Sequence, residues 1–235
     1  MSELNEKKSP HFQQGLILKR MKQFNYVEVE GQTHLCRIKG NLFEESHYEN
    51  KIAVGDWVKV DLEAAQDAGL IYEILPRKSK LSRSLRDTEL EQVLVSNADY
   101  LLIVASVGKP AFRGGVVERF FIAAQRGNLH PILILNKIDL AEEEEIAPIQ
   151  ELYQSLGYQV FLTSATHNLG LDPVKEILAN RISIFAGHSG VGKSSLVKAL
   201  FPEWDLRVED VDKKWGRGRH TTTLAVMYPL PGKTG

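Results

Sequence analysis

Apolar and polar residues alternate over short runs in the first third of the chain. This two-residue period, typical of β-strands, covers Gly15–Lys19, Tyr26–Glu30, His34–Ile38, Trp57–Leu62 and Leu70–Leu75. Glycine-containing turns separate the runs. Five short strands in about sixty residues predict a small closed all-β barrel of the oligonucleotide-binding (OB) kind, because closure removes the edges that short strands expose.

From Asp99 onward, apolar runs alternate with segments of helical spacing. Gly127 is placed to end the first helix, and Asp172 with Pro173 is expected to begin the third as N-cap and first-turn proline. The predicted order is strand Tyr100–Ser106, helix near 116–124, strand Pro131–Leu135, helix near 142–156, strand Tyr158–Thr163, a short helix, strand Ile182–Ala186 and a helix ending near Phe201. This alternation predicts an α/β domain with a parallel sheet covered by helices on both faces.

Four segments follow from these patterns. Residues 1–14 are expected to form a disordered tail, 15–76 the barrel, 77–98 a basic linker and 99–235 the α/β domain. Arg77–Arg86 carries five basic residues in ten and no acid. Such a segment either neutralises phosphates of a nucleic acid or is a solvated linker, and both interpretations stay open.

A glycine-rich turn separates the strand Ile182–Ala186 from the helix that follows it. Its sequence fits the phosphate-loop pattern G-x-x-x-x-G-K-[ST], in the strand–loop–helix context that the pattern requires. Glycines let the backbone wrap an anion, Lys193 is expected to reach the β- and γ-phosphates, and Ser194 to offer its hydroxyl to Mg²⁺. The predicted nucleotide-binding residues here are Gly187, His188, Ser189, Gly190, Val191, Gly192, Lys193, Ser194 and Ser195.

An N-K-x-D element, Asn136, Lys137, Ile138 and Asp139, directly follows the strand Pro131–Leu135. Guanine presents N1–H and an amino group side by side, and the Asp139 carboxylate can accept both, whereas adenine offers no such pair. Asn136 is expected to hold the loop, and the stem of Lys137 to cover the base. At the end of the third strand, Ser164 and Ala165 complete the expected base site, with a backbone N–H near Ala165 directed at guanine O6. Together with the phosphate loop, these elements predict a guanine nucleotide.

The predicted barrel has its own candidate ligand, because such barrels often bind RNA through aromatic and basic side chains on one face. Tyr26, His34, Arg37 and Lys39 are the candidates, whereas Trp57 and Phe43 are equally compatible with the core. The fold alone does not decide between an RNA-binding and a structural barrel.

Composition sets the remaining limits. Apolar residues make up 43% of the chain and charged residues 25%, the net charge is −1, and Cys36 is the single cysteine. Overall charge therefore gives no case for nucleic-acid binding, and one cysteine cannot close a disulfide within the chain. With no leader-like segment and no apolar run near the ~20 residues of a membrane span, a soluble cytoplasmic protein without membrane partners is expected.

The order of the motifs is unusual, because N-K-I-D precedes the phosphate loop by about fifty residues. In this permuted order the chain resembles the circularly permuted ribosome-small-subunit-dependent GTPase A family. The resemblance also rests on the barrel, on the motifs T-S-A, G-H-S-G-V-G-K-S-S and G-R-H-T-T-T, and on the E-I-L-P-R-K-S-K-L-S-R junction. The resemblance covers Gly15 to Tyr228. It implies a Mg²⁺-dependent GTPase that binds GTP and GDP, acts late in maturation of the small ribosomal subunit, contacts its rRNA and is stimulated by the subunit.

The resemblance also assigns a switch and shows departures. Thr222 is expected to bind Mg²⁺, with its neighbours Thr221 and Thr223 as alternatives, and His220 to position the attacking water. A strand is expected at Leu224–Leu230, but the D-x-P-G strand and the zinc-binding domain of the family are not in the chain, which is interpreted as truncated at its C-terminus. The edge of Ile182–Ala186 is then expected to be unpaired.

Two functions follow from these expectations. The first is a GTPase of small-subunit maturation, acting as a monomer, with hydrolysis by this chain alone uncertain. The alternative is an RNA-binding OB module whose guanine-nucleotide pocket is regulatory or defective.

Overall fold

The computed structural model describes residues 11–40, 52–64, 67–84, 91–204 and 226–228. The chain divides into two compact units, the first comprising Met1–Arg77, Ser84–Ser96 and Ala225–Gly235, and the second Lys78–Arg83 and Asn97–Leu224. None of the helices in the described ranges combines the length and the apolar composition that a membrane span requires.

The first unit contains the predicted barrel. Its strands are β1 (Gln13–Arg20), β2 (Asn25–Val29), β3 (Gln32–Ile38), β4 (Trp57–Asp61) and β5 (Gly69–Ile74). They close in the order β1-β2-β3-β5-β4, with β3 and β5 parallel and the other neighbours antiparallel. Inward side chains of all five strands, among them Ile17, Val27, Cys36, Val60 and Ile71, form the core. Every predicted strand is present, with ends within two residues of the prediction.

An ion pair with a fully buried carboxylate, that of Asp56 with Arg77, lies at the end of the barrel in the first unit. The Asp56 side chain is fully buried and accepts two hydrogen bonds from the Arg77 guanidinium, from Nε at 2.6 Å and Nη2 at 2.8 Å. Ser96 Oγ at 2.6 Å and the Ala53 N–H at 2.7 Å donate to the same carboxylate. Four donors on one buried carboxylate compensate for the cost of removing its charge from water.

The basic segment predicted as a linker contains two strands, β6 (Lys80–Ser84) and β7 (Glu91–Ser96). Leu81, Val93 and Val95 are buried, so the segment is not simply solvated. Leu81 lies between two polar residues of β6, and Val93 and Val95 lie two residues apart in β7, so the two-residue period of a strand directs them to one side.

The second unit is the predicted parallel α/β sheet. Its strands are β8 (Tyr100–Ser106), β9 (His130–Asn136), β10 (Gln159–Thr163) and β11 (Ser183–Ala186), in the order β10-β9-β8-β11 and parallel throughout. The two central strands are buried along almost their whole length, as expected for continuous apolar runs covered on both faces. Among the described strands, β11 pairs with β8 alone, which places it at the edge of the sheet.

Four helices accompany this sheet: α1 (Gly114–Arg126), α2 (Glu143–Ser155), α3 (Leu171–Leu178) and α4 (Lys193–Leu200). Val117, Phe121 and Ala124 of α1 are buried, and Gly127 ends the helix as predicted. In α2 the Glu142 and Glu145 side chains form a reciprocal capping box, which confirms that the acidic run begins a helix.

One prediction about a chain segment is corrected, and another falls mostly outside the described residues. Helix α3 begins at Leu171, with Gly170 rather than Asp172 at the N-cap, because Gly170 adopts φ +65° and lies so close to Leu162 that a Cβ would stand 1.9 Å from its carbonyl oxygen. The predicted strand Leu224–Leu230 is described only at Val226–Tyr228. There Val226 forms an isolated bridge with Lys19, beyond the part of β1 that pairs with β4.

Candidate functional site: a nucleotide pocket at the carboxyl end of the sheet

The glycine-rich turn connects the end of β11 to the start of α4. Gly187, Gly190 and Gly192 have φ values of +151°, +85° and +92°, which side chains rarely adopt. A Cβ on Gly187 would lie 2.2 Å from the Val104 carbonyl oxygen, and one on Gly192 would lie 2.5 Å from Asn136 Nδ2. The turn therefore requires glycine at both ends of the phosphate-loop pattern, and its backbone is available to wrap an anion.

Lysine and hydroxyl groups of the loop lie where the pattern predicts. Lys193 is the first residue of α4, and its Nζ donates to the carbonyl oxygens of Gly187 and His188, each at 2.9 Å. Ser194 and Ser195 follow in the first turn and are exposed, whereas Val191 is buried and anchors the loop to the core. The ammonium group is thus held over the loop, which fits a phosphate, and Ser194 is accessible to a metal ion.

Asn136 connects three loops at this end of the sheet. Its side chain is almost fully buried, and Nδ2 donates to the Val191 carbonyl oxygen at 3.0 Å. Oδ1 accepts from Thr163 Oγ1 at 3.1 Å and from the Ala165 N–H at 3.3 Å. One amide group therefore joins the phosphate loop to the loops that follow β9 and β10, although 55 residues separate Asn136 from Val191.

Lys137 makes a second connection between loops. It adopts a left-handed backbone conformation, with φ +67°, and its Nζ donates to the carbonyl oxygens of Lys109 and Gly190 at 2.6 and 2.7 Å. The side chain therefore lies across the mouth of the pocket. This position is compatible with the predicted contact of its aliphatic stem with a base.

The Asp139 carboxylate lies beside the turn that follows β10. Ser164 Oγ donates to Asp139 Oδ1 at 2.5 Å, and the Asp139 side chain is 16% exposed. A carboxylate that is held by one hydroxyl and retains further acceptor capacity fits the paired N–H groups of guanine. The Ala165 N–H, predicted to bind guanine O6, donates to Asn136 Oδ1 over a long distance.

Sequence reasoning missed one side chain in this pocket. His167 Nδ1 lies 3.1 Å from Ser164 Oγ and 3.6 Å from Asp139 Oδ2. A histidine three residues beyond a predicted site residue is a weak signal, because only the closure of the turn brings the ring back over Ser164.

His220 and Thr222, predicted to serve catalysis and magnesium binding, lie outside the described residues. Within those that are described, no group of three or more His, Cys, Asp and Glu side chains is arranged to hold a metal ion. Ser194 is therefore the one predicted magnesium ligand whose position can be described.

The barrel carries a separate set of basic and aromatic pairs. Arg37 lies over the Phe24 ring at 4.7 Å from its centroid, Lys39 over Tyr72 at 4.5 Å, and Lys19 over Tyr26 at 5.8 Å. Three of the four residues predicted as RNA-binding candidates belong to these pairs, namely Tyr26, Arg37 and Lys39. We call Lys19, Phe24, Tyr26, Arg37, Lys39 and Tyr72 the aromatic–basic surface; the sequence analysis did not include Lys19, Phe24 or Tyr72.

Comparisons with known proteins agree with both units. A family model described as RsgA GTPase matches residues 74–234, and one described as RsgA N-terminal domain matches residues 14–71. A protein of Shewanella oneidensis named small ribosomal subunit biogenesis GTPase RsgA is 39% identical over 229 residues, which cover 93% of this chain and 62% of the relative. Its namesake in Halalkalibacterium halodurans is 34% identical, over 92% of this chain and 70% of the relative.

Two solved structures resemble this one. YjeQ from Thermotoga maritima superposes with a TM-score of 0.66 and 30% identity, over 84% of this chain and 68% of its own. YloQ, described as a circularly permuted GTPase, gives a TM-score of 0.63 and 28% identity, over 85% of this chain and 68% of its own. The chain thus spans between about three fifths and seven tenths of the length of these four proteins.

Proposed function

We propose that this chain binds guanine nucleotide with Mg²⁺ and hydrolyses GTP during maturation of the small ribosomal subunit, because the chain belongs to the RsgA GTPase family. The relatives' names carry the biological role. The geometry of the pocket supports the proposed nucleotide binding. The alternative of an RNA-binding module with a defective pocket is not favoured, since the RsgA GTPase family model covers the whole described α/β unit.

One observation supports the pocket above all others, namely the position of Asn136. Its hydrogen bonds join the phosphate loop to the loops after β9 and β10. The chain order is permuted, yet the residues for base and phosphate meet at the carboxyl end of one parallel sheet, where ligands of such folds bind.

Each residue of the pocket has a proposed role. Lys193 and the N–H groups of residues 187–192 hold the phosphates, Ser194 and Thr222 bind Mg²⁺, and Asp139 recognises guanine. Bound Mg²⁺ supplies positive charge against the phosphates. The protein's own contribution is positioning and charge neutralisation without a covalent intermediate, and His220 orients the attacking water.

Nucleotide binding provides the test of the pocket. A fluorescent guanosine diphosphate is titrated in Mg²⁺ and displaced with unlabelled GDP, GTP or ATP. We expect GDP and GTP to compete and ATP to fail, because adenine offers no paired donors to Asp139. The Asp139→Asn variant is expected to shift preference from guanine towards xanthine nucleotides, and a variant that kept full guanine preference would contradict the assignment.

Hydrolysis is tested separately from binding. We expect purified small subunits to stimulate GTP hydrolysis, and His220→Ala to lose this stimulation while binding GDP normally. Unchanged stimulation in that variant would remove His220 from the mechanism.

We further propose that the aromatic–basic surface contacts ribosomal RNA. Stacking of bases on exposed rings and neutralisation of phosphates by neighbouring cations are the usual means by which such barrels bind single strands. Lys39→Gln with Tyr72→Leu is expected to weaken binding of the chain to small-subunit RNA about tenfold or more. Lys59→Gln serves as the control, because Lys59 is an exposed barrel cation paired with Glu73 at 2.6 Å. Equal binding by both variants would contradict this role.

The remaining expectations are a monomer and a cytosolic location. Sedimentation of the chain at micromolar concentration tests the first, and fractionation of cells the second. The zinc site expected for the family is not assigned to any described residue.

A further inference from the structure

The turn that follows β10 is closed and brings one unassigned side chain to the base-recognition carboxylate. The Ser164 N–H donates to the Leu169 carbonyl oxygen at 3.1 Å, and the Leu169 N–H donates back to Ser164 at 3.0 Å. Asn168 and Gly170 adopt left-handed conformations with φ of +55° and +65°. The chain therefore folds back within six residues, and the His167 side chain, 62% exposed, lies over Ser164.

Ser164 Oγ has four polar neighbours at this turn. Ser164 Oγ lies 2.5 Å from Asp139 Oδ1, 3.1 Å from His167 Nδ1 and 3.2 Å from Thr166 Oγ1. It also lies 3.3 Å from the His167 N–H. Ser164 is fully buried, so these contacts cannot be exchanged freely for water.

Proton counting assigns a direction to the contacts that Ser164 Oγ makes with Asp139 and His167. An ionised carboxylate only accepts, so the single proton of the Ser164 hydroxyl is donated to Asp139. Ser164 Oγ can then only accept, and its two lone pairs can take the His167 N–H and one side-chain donor. If His167 Nδ1 carried no proton, two lone pairs would face each other across 3.1 Å, so the Nδ1–H tautomer is the one that makes this contact a hydrogen bond. The same proton faces Asp139 Oδ2, 3.6 Å away.

We infer that His167 is a positioning residue for guanine specificity: its Nδ1–H donates to Ser164 Oγ, which keeps the serine proton on Asp139 and fixes the plane of that carboxylate. This inference rests on the proposed guanine-nucleotide function. A fixed plane lets the carboxylate accept two parallel N–H groups at once, which distinguishes guanine from bases with a single donor. His167 itself is not required to contact the nucleotide.

The test compares GDP with inosine diphosphate (IDP), which lacks the exocyclic amino group of GDP. In His167→Ala we expect the ratio of GDP to IDP affinity to fall about three- to tenfold, the value of one hydrogen bond to an anion that is no longer well directed. General loosening of the fold would weaken both nucleotides equally and leave the ratio unchanged.

Three further variants make the test specific to Nδ1. The amide of His167→Asn can place a donor where Nδ1–H lies and should preserve the ratio, whereas His167→Gln, which reaches as far as Nε2, should not. Thr166→Ala is the matched control, since Thr166 Oγ1 contacts both Ser164 and His167 but not the carboxylate in this scheme.

The outcomes separate this inference from the function on which it rests. Selective GDP binding by the unaltered chain with an unchanged ratio in His167→Ala would overturn the positioning role and leave the proposed function intact. A ratio lowered equally by His167→Asn and His167→Ala would also overturn it. Absence of GDP binding by the unaltered chain would overturn both.

Discussion

Replacement of Asn136 by alanine should weaken the second unit and its nucleotide pocket together. The change removes three hydrogen bonds of an almost fully buried amide, to Val191, Thr163 and Ala165. Each such bond contributes about 0.5–1.5 kcal/mol net, and a buried partner left unsatisfied costs about 1–3 kcal/mol. Since the bond from Ala165 is long at 3.3 Å, we count it at the low end. The expected loss in free energy of unfolding is about 2–4 kcal/mol.

Urea denaturation followed by far-ultraviolet circular dichroism measures this loss. All four described α-helices belong to the second unit, so the helical signal reports on the unit that contains Asn136. Gln154→Ala, an exposed amide in α2, is the control and should stay within about 0.5 kcal/mol of the unaltered protein. GDP affinity should fall in Asn136→Ala at urea concentrations where the unit is still folded, because the phosphate loop loses its connection to the base site.

Asn136→Asp distinguishes the hydrogen bonds from simple packing. This variant has nearly the same volume, but a carboxylate oxygen replaces Nδ2 and faces the Val191 carbonyl oxygen without a proton between them. We expect a loss at least as large as that of the alanine variant. A loss below about 1 kcal/mol in both variants, with GDP affinity preserved, would refute the idea that this amide holds the three loops together.

Three further predictions concern positions outside the pocket's hydrogen bonds. Gly170→Ala should cost at least about 2 kcal/mol in free energy of unfolding, whereas Gly157→Ala, with a similar positive φ but no atom within 4 Å of the added Cβ, should cost about 1 kcal/mol; equal losses would contradict the clash. Asp56→Asn should destabilise the barrel by about 3 kcal/mol, the low end for a buried ion pair, because the Arg77 side chain that loses its charged partner is 23% exposed. The control Asp67→Asn removes one partner of the exposed ion pair with Arg37 and should cost less than about 1 kcal/mol. Fluorescence of the barrel during urea denaturation measures the free energy of unfolding of both variants. Burial raises the pKa of the Cys36 thiol from 9.0 to about 11. The protonated thiol therefore contributes at most about 3 kcal/mol to stability, and this contribution is present below pH 9 and lost as pH rises through 11. Denaturation at pH 8 and 11, with and without Cys36→Ala, checks this prediction.

The barrel and the parallel sheet were predictable from sequence because burial acts on the period of apolar residues. Val58, Val60 and Ile71 follow the period of a half-buried strand, and the run Tyr100–Ser106 follows that of a central one. The predicted strands of the barrel and of the parallel sheet were therefore correct within two residues, whereas β6 and β7 were not predicted. The start of α3 was not, because the left-handed conformation of Gly170 depends on its contact with Leu162 rather than on local propensity.

The candidate site was predictable only as far as its motifs reach. The phosphate-loop pattern and the N-K-x-D element predict Lys193 and Asp139 as site residues through residue type and spacing. The buried pair of Asp56 with Arg77 spans 21 residues and follows no motif, and the position of His167 depends on the closure of a turn. Contacts of this kind are set by tertiary geometry, so a single sequence does not reveal them.

The order of the strands in the sheet has a consequence for how the second unit folds. Strands β8, β9 and β10 are consecutive in the chain and adjacent in the sheet, whereas β11 must return across 83 residues to pair Ser183 with Tyr100. Pairing at large sequence separation carries a greater loop-closure cost and is slow. During synthesis, the loops that follow β9 and β10 therefore emerge and can dock before the phosphate loop is made. In pulsed hydrogen exchange we expect amide protection to appear last in β11, so that the two halves of the pocket come together only in the final folding step.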